Sequence, residues 1–145
     1  MPPVLFDTSV YISALRRPGP VGMEWKRFTN GAAVWLSSVV LEELYAGASP
    51  RGRFAIERLE RDFERARRIL VPNLTDWTQT GRVLSLLGAK YGHEEIGRGR
   101  LTNDALIALS AARTGITVLT ANVRDYRRLA EFRPFSWRVV QAVRS

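Results

Sequence analysis

The chain contains no cysteine and a single histidine, His93. The first absence excludes disulfides, thiolate metal sites and cysteine nucleophiles. The second leaves no imidazole pair for a zinc centre or for histidine acid/base catalysis. Metal chemistry, if present, rests on oxygen ligands. Long apolar runs are also missing: none approaches the roughly 20 residues that span a bilayer, and Met1-Pro2-Pro3-Val4 does not open a secretory signal. These absences predict a cytoplasmic protein that does not engage membranes. No linker, low-complexity stretch or repeat interrupts the 145 residues, of which 46% are hydrophobic, so the chain reads as one domain, 1–145, around one core.

What the chain has in excess is arginine. Lys+Arg number 22 against 14 Asp+Glu, a formal charge of +8, and nearly all the basic residues are arginine. The guanidinium fork pairs bidentately with phosphate and stacks on bases, so this composition points to a polyanionic partner, a nucleic acid or an acidic protein. Genome base composition produces the same bias with no partner at all.

Apolar runs without alternation, of the kind strands buried on both faces show, occur at Val4 to Phe6, Ala32 to Leu36, Ile69 to Val71 and Thr117 to Thr120; Ser136 to Val140 alternates enough for a fifth strand. Helical patterns lie between them. They cover Val10 to Leu15, Val21 to Asn30, Val39 to Ala48 behind a Ser37 or Ser38 cap, and Arg53 to Arg68. Two more follow, from a Thr75 or Asp76 cap to Tyr91 and from Thr102 or Asn103 to Arg113, with a short one near Val123 to Leu129. In Arg53 to Arg68, Glu57/Arg61 and Glu64/Arg68 are expected as i, i+4 ion pairs. Gly92 to Arg100 reads as a loop that carries His93 at the surface and the run Gly97-Arg98-Gly99-Arg100, in which Arg98 and Arg100 are candidate RNA-backbone contacts. Strands alternating with helices predict an α/β sandwich with a mostly parallel central sheet of about five strands.

In open α/β sheets ligands bind beyond the carboxyl ends of the strands. Asp7 directly follows the first strand, and Asn122 and Asp125 follow the Thr117 to Thr120 strand. Glu42 and Glu43 lie in the second turn of the helix leaving the second strand. Each of those glutamates falls about 130° from the apolar stripe, on opposite sides, so periodicity does not choose between them. Asp104 shares a small apolar helix face with Ile107, Ala108 and Ala111, where an ionised carboxylate needs a partner. Taken singly, each acid is explained as a helix cap, a dipole complement or a solvated charge. Together they form an oxygen-only set suited to Mg²⁺ or Mn²⁺, ions that neutralise phosphate and activate water.

Four segments, Val4-Leu5-Phe6-Asp7-Thr8-Ser9, Ser38 to Gly47, Asn103 to Ala108 and Thr120-Ala121-Asn122-Val123-Arg124-Asp125-Tyr126, resemble in order and spacing the motifs of the PIN domain, in particular VapC-type toxin ribonucleases. The resemblance runs from about Val4 to Val140. It implies a three-layer α/β/α fold and a metal-dependent endoribonuclease, usually a homodimer, held inactive by a cognate antitoxin. By position, Asp7 and Asp104 match the family's metal-binding aspartates, and Glu43, preceding Leu44 and lying four residues before Gly47, matches its glutamate. Many members carry an aspartate where this chain has Asn122, which leaves Asp125 as the fourth carboxylate. Thr8, Ser9 and Thr120 are secondary candidates for hydroxyl or water contacts. The implied chemistry is hydrolysis of RNA by water, leaving 5′-phosphate and 3′-hydroxyl ends. Two other readings stand beside it: a nuclease of the same fold that matures stable RNA, and a catalytically silent module that binds RNA or docks an antitoxin.

Overall fold

The computed structural model describes residues 2–15, 29–98 and 101–140. Five strands, β1 (Val4–Phe6), β2 (Val34–Ser37), β3 (Ile69–Leu70), β4 (Thr117–Thr120) and β5 (Trp137–Val139), form one sheet in the order β3-β2-β1-β4-β5, with every pairing parallel. Among the described residues seven helices accompany them: α1 (Thr8–Leu15), α2 (Ser38–Ala46), α3 (Pro50–Arg65), α4 (Leu74–Tyr91), α5 (His93–Arg98), α6 (Leu101–Thr114) and α7 (Val123–Phe132). The expected sandwich with a parallel five-stranded sheet is therefore present.

Central strands carry no polar alternation because both of their faces are covered: all of β1 and all of β4 are buried. Against them lie Tyr11, Leu36, Val40, Leu87, Leu106, Ile107 and Tyr126, continuous with the core. Helix α6 packs on α4 and α7, and α2 links α1 to α3. No helix among the described residues is long and apolar enough to cross a membrane.

Several element boundaries differ from the sequence expectation. Helix α1 starts at Thr8 rather than Val10, because Asp7 itself accepts from the Val10 amide. Helix α3 starts at Pro50, capped by Ser49, since proline is well suited to a first helical turn; it stops at Arg65 because Arg67 adopts a left-handed φ of 56°. Helix α4 is capped by Asn73 in a reciprocal capping box with Asp76, one turn before the expected start. Gly92 to Arg100 is not a loop. Gly92 turns the chain at φ 98°, and His93 to Arg98 form α5, favoured by Glu94 and Glu95 in its first turn and anchored by buried Ile96. His93 is exposed as expected but lies on that helix, over Gly88, where any Cβ would run into its ring. The Val21 to Asn30 helix falls mostly outside the described residues, as do Gly99, Arg100 and the side chain of Arg98.

The expected ion pairs Glu57/Arg61 and Glu64/Arg68 are not formed. Among the described residues α3 makes one ion pair, Arg53 with Glu57 at 3.9 Å, and Glu60 is held by the Tyr45 hydroxyl at 2.6 Å. An exposed i, i+4 pair gains too little in water to fix which partner a side chain takes, and Glu57 meets Arg53 instead of Arg61.

Candidate active site

The strand order reverses direction at β1. From there the chain moves outward to β2 and β3, then returns to the other side of β1 for β4 and β5. Such a switch point leaves a crevice beyond the carboxyl ends of the two diverging strands. Asp7 ends β1 and Thr120 ends β4, and Leu5 pairs with Val118 and Phe6 with Leu119 across the ladder, so the two residues stand side by side.

Asp7 is 2% exposed. Its Oδ1 accepts from Ser9 Oγ at 2.6 Å and from the Val10 amide at 3.4 Å, while Oδ2 accepts a short hydrogen bond from the Thr120 hydroxyl. Burial pushes its pKa above the ordinary carboxylate value, and these hydrogen bonds oppose that shift. Thr120 Oγ1 also accepts from the Asn122 amide at 2.9 Å, and Ser9 Oγ accepts from the Ala121 amide at 3.3 Å, which ties β1 and β4 together at the rim.

Asn122 is the junction of the other half. As the N-cap of α7 it accepts from the Asp125 amide, and its Nδ2 donates to Asp125 Oδ2 at 2.9 Å and to Asp104 Oδ2 at 3.5 Å. Asp104 reaches this point from the first turn of α6. Its pKa is raised to about 8, first by burial and then by the like charges of Asp7, Asp125 and Glu43. Glu43 on α2 accepts from Thr8 Oγ1 at 2.7 Å. Glu42, the residue periodicity could not separate from it, is instead exposed, accepting weakly from Asn103 at 3.4 Å.

Asp7, Thr8, Ser9, Glu43, Asp104, Thr120, Asn122 and Asp125 are thus brought from four segments into one neighbourhood. Among the described residues none of the four acids is paired with an arginine or lysine, in a chain whose formal charge is +8. Each is satisfied by a hydroxyl or an amide. As these side chains stand, no three acidic or imidazole groups among the described residues enclose a single ion, because Glu43 turns to Thr8 and Asp125 to Asn122. The donor chemistry nevertheless fits a hard divalent cation: only oxygens, several like charges, and a carboxyl whose proton affinity is raised by neighbours of its own sign.

Tyr126 follows Asp125 on α7. Its ring is fully buried against Phe135 and Trp137 behind the acids, and its hydroxyl has no hydrogen-bond partner among the described residues. Burial together with the nearby carboxylates raises its pKa well above the ordinary value.

One family model, PIN domain, matches residues 4–132. No curated protein matches the chain. Solved structures share the fold: DNA-bound VapBC from Salmonella typhimurium at TM-score 0.68, with 21% identity over 96% of this chain and 98% of that one; VapBC2 from Rickettsia felis bound to a promoter DNA fragment at 0.66, with 19% identity over 95% and 98%; and VapBC-1 from nontypeable Haemophilus influenzae at 0.53, with 21% identity over 94% and 96%.

Proposed function

The chain belongs to the PIN domain family, and on that premise we propose that it is a Mg²⁺-dependent endoribonuclease, with Mn²⁺ an alternative ion, acting as the toxin of a VapBC-type pair. One observation carries the reading: Asp7, Glu43, Asp104 and Asp125 gather at the β1/β4 switch point with no basic side chain among the described residues paired to them. A cluster of this kind is electrostatically costly unless a cation offsets it.

Asp7, Glu43, Asp104 and Asp125 would hold the ion. When bound, it supplies charge neutralisation at the scissile phosphate and acidifies water. The chain's own residues do the rest. Ser9 and Thr120 fix both oxygens of Asp7, so that carboxylate needs no reorientation as the reaction proceeds, whereas Glu43 would turn from Thr8 to reach the ion. Asn122 Nδ2 donates to Asp104 Oδ2 and to Asp125 Oδ2 and so holds these two carboxylates side by side, and a carboxylate of the cluster orients or deprotonates the attacking water. Because water rather than the ribose 2′-OH attacks, the products carry 5′-phosphate and 3′-hydroxyl ends. The similar VapBC assemblies support an antitoxin as partner, and family resemblance supports a homodimer.

The test is cleavage of labelled single-stranded and structured RNAs by the purified protein with Mg²⁺, Mn²⁺ or EDTA, beside Asp7→Asn and Asp104→Asn. Metal-dependent cleavage leaving 5′-phosphates, lost in both variants, is expected. Cleavage that persists in EDTA, or a protein inert on every RNA, would refute the reading. The inert result favours the second reading, a silent binding module, whose specific support is Asn122 occupying the space between Asp104 and Asp125 with an amide instead of a carboxylate.

A further inference from the structure

Helix α3 divides into three longitudinal faces. Its apolar face, Ile56, Leu59 and Phe63, packs on the core. A second face carries Glu57, Glu60 and Glu64, with Arg53 paired to Glu57. The third carries Arg51, Phe54, Arg58, Arg61 and Arg65, which at 100° per residue fall within an arc of about 80° and extend about 21 Å along the axis. All five are exposed, Phe54 at 72%. Among the described residues no ion pair engages any of the four arginines, even though Asp62 at the edge of the arc stands four residues after Arg58.

Phe54 stands exposed among these arginines, as Leu74 and Trp77 stand exposed on α4. What sets Phe54 apart is its setting, a ring with guanidinium groups on both sides along one helix face. Arginine forks recognise phosphate, while the aromatic face and the guanidinium planes stack on bases. The stripe also borders the site. Gly52, Ala55 and Ile56 of α3 wall a groove of about 350 Å³ whose other lining includes Glu43, and Arg51, Phe54 and Arg58 adjoin Gly52 and Ala55 on the helix surface. Until a cation offsets them the acids at the switch point repel phosphate, so basic groups elsewhere on the chain would strengthen the grip on a polyanionic substrate.

We propose that Arg51, Phe54, Arg58, Arg61 and Arg65 form a docking stripe for single-stranded RNA, the arginines tracking its backbone and Phe54 stacking on a base, beside the groove that ends at Glu43. This rests on the nuclease reading above and specifies its substrate-binding surface. An acidic peptide would satisfy the four arginines but not account for the exposed ring between them.

The experiment is fluorescence anisotropy of a labelled 15-nucleotide single-stranded RNA in EDTA, titrated between 50 and 200 mM salt. Proteins compared are the wild type, the triple variant Arg51→Gln/Arg58→Gln/Arg65→Gln, Phe54→Ala, and a charge-matched triple, Arg53→Gln/Arg82→Gln/Arg133→Gln, with thermal melts confirming that each is folded. The stripe triple is expected to lower the slope of log K against log salt by about 2, at about 0.7 per lost contact to a single strand. Phe54→Ala should weaken binding about tenfold with the slope unchanged, and the charge-matched triple should stay close to wild type. Equal losses in both triples, no loss in the stripe triple, or displacement of RNA by an equimolar polyglutamate peptide would overturn the proposal. So would a wild type that binds no RNA, and Mg²⁺-dependent cleavage by the same preparation then shows whether the nuclease reading falls with it.

Discussion

Replacing Asp104 with asparagine separates the cost of the acid cluster from its use. Burial and the like charges around it push the Asp104 carboxyl up to about 8 from an ordinary value of 3.8. Because the folded pKa is raised for an acid, the folded state binds the extra proton between those values. Stability is therefore full below the unfolded pKa and is lost as pH rises toward 8. At 1.4 kcal/mol per unit, the ceiling on that loss is roughly 6 kcal/mol. Relaxation of the side chain toward solvent reduces it, and about 2–3 kcal/mol is the expectation to test. An asparagine side chain keeps the shape and cannot ionise, so Asp104→Asn should be more stable than wild type at pH 9 by that amount, a rise of about 6–9 °C in Tm for a chain of this size. Near pH 4 the two should coincide. Added Mg²⁺ should raise the wild-type Tm at neutral pH and leave the variant nearly unmoved, because only the wild type keeps the full donor set. Urea denaturation at pH 4, 7 and 9, with and without Mg²⁺, reads all of this. A variant that is less stable than wild type at pH 9, or an offset that does not change with pH, would refute the electrostatic account of the site.

Three other perturbations test separate features. Thr120→Val keeps the volume but removes the hydroxyl that donates to Asp7 and accepts from the Asn122 amide, and should destabilise by about 1–3 kcal/mol in urea while lowering cleavage. Arg113→Met leaves Asp76, 3% exposed, without the guanidinium that donates to both its oxygens at 3.0–3.1 Å; a loss of about 3 kcal/mol is expected, with cleavage per folded molecule unchanged. Gly88→Ala forces the His93 ring away and should destabilise by about 1–2 kcal/mol, and His93→Ala in the same chain should recover most of that, measured as a double-mutant cycle.

Much of the acid constellation was legible in the chain because strand ends and helix starts are local events. Asp7 after Val4-Leu5-Phe6, and Asn122 and Asp125 after the apolar run to Thr120, could be placed at a sheet rim from strand pattern and capping alone. Periodicity could not say which of Glu42 and Glu43 enters the site, because both lie equally far from the apolar stripe; resemblance to the family selected Glu43, and the fold turns it onto Thr8. Helix α5 was missed because glycines on either side of His93 to Arg98 imitate a loop, while its anchor, Ile96 buried beside α4, is a long-range contact.

By itself, then, the sequence determined the alternation of strands and helices, the buried character of β1 and β4, and the oxygen-only chemistry of the candidate site, since each follows from residue type and short spacing. The strand order β3-β2-β1-β4-β5 was decided only by the tertiary structure, and with it the crevice where Asp7 meets Thr120. So were the Asn122 bridge between Asp104 and Asp125, the burial that raises Asp104, and the exposure of the arginine stripe on α3. Desolvation, like-charge proximity and the competition between an ion pair and water depend on distances between residues far apart in the chain, which no local pattern encodes.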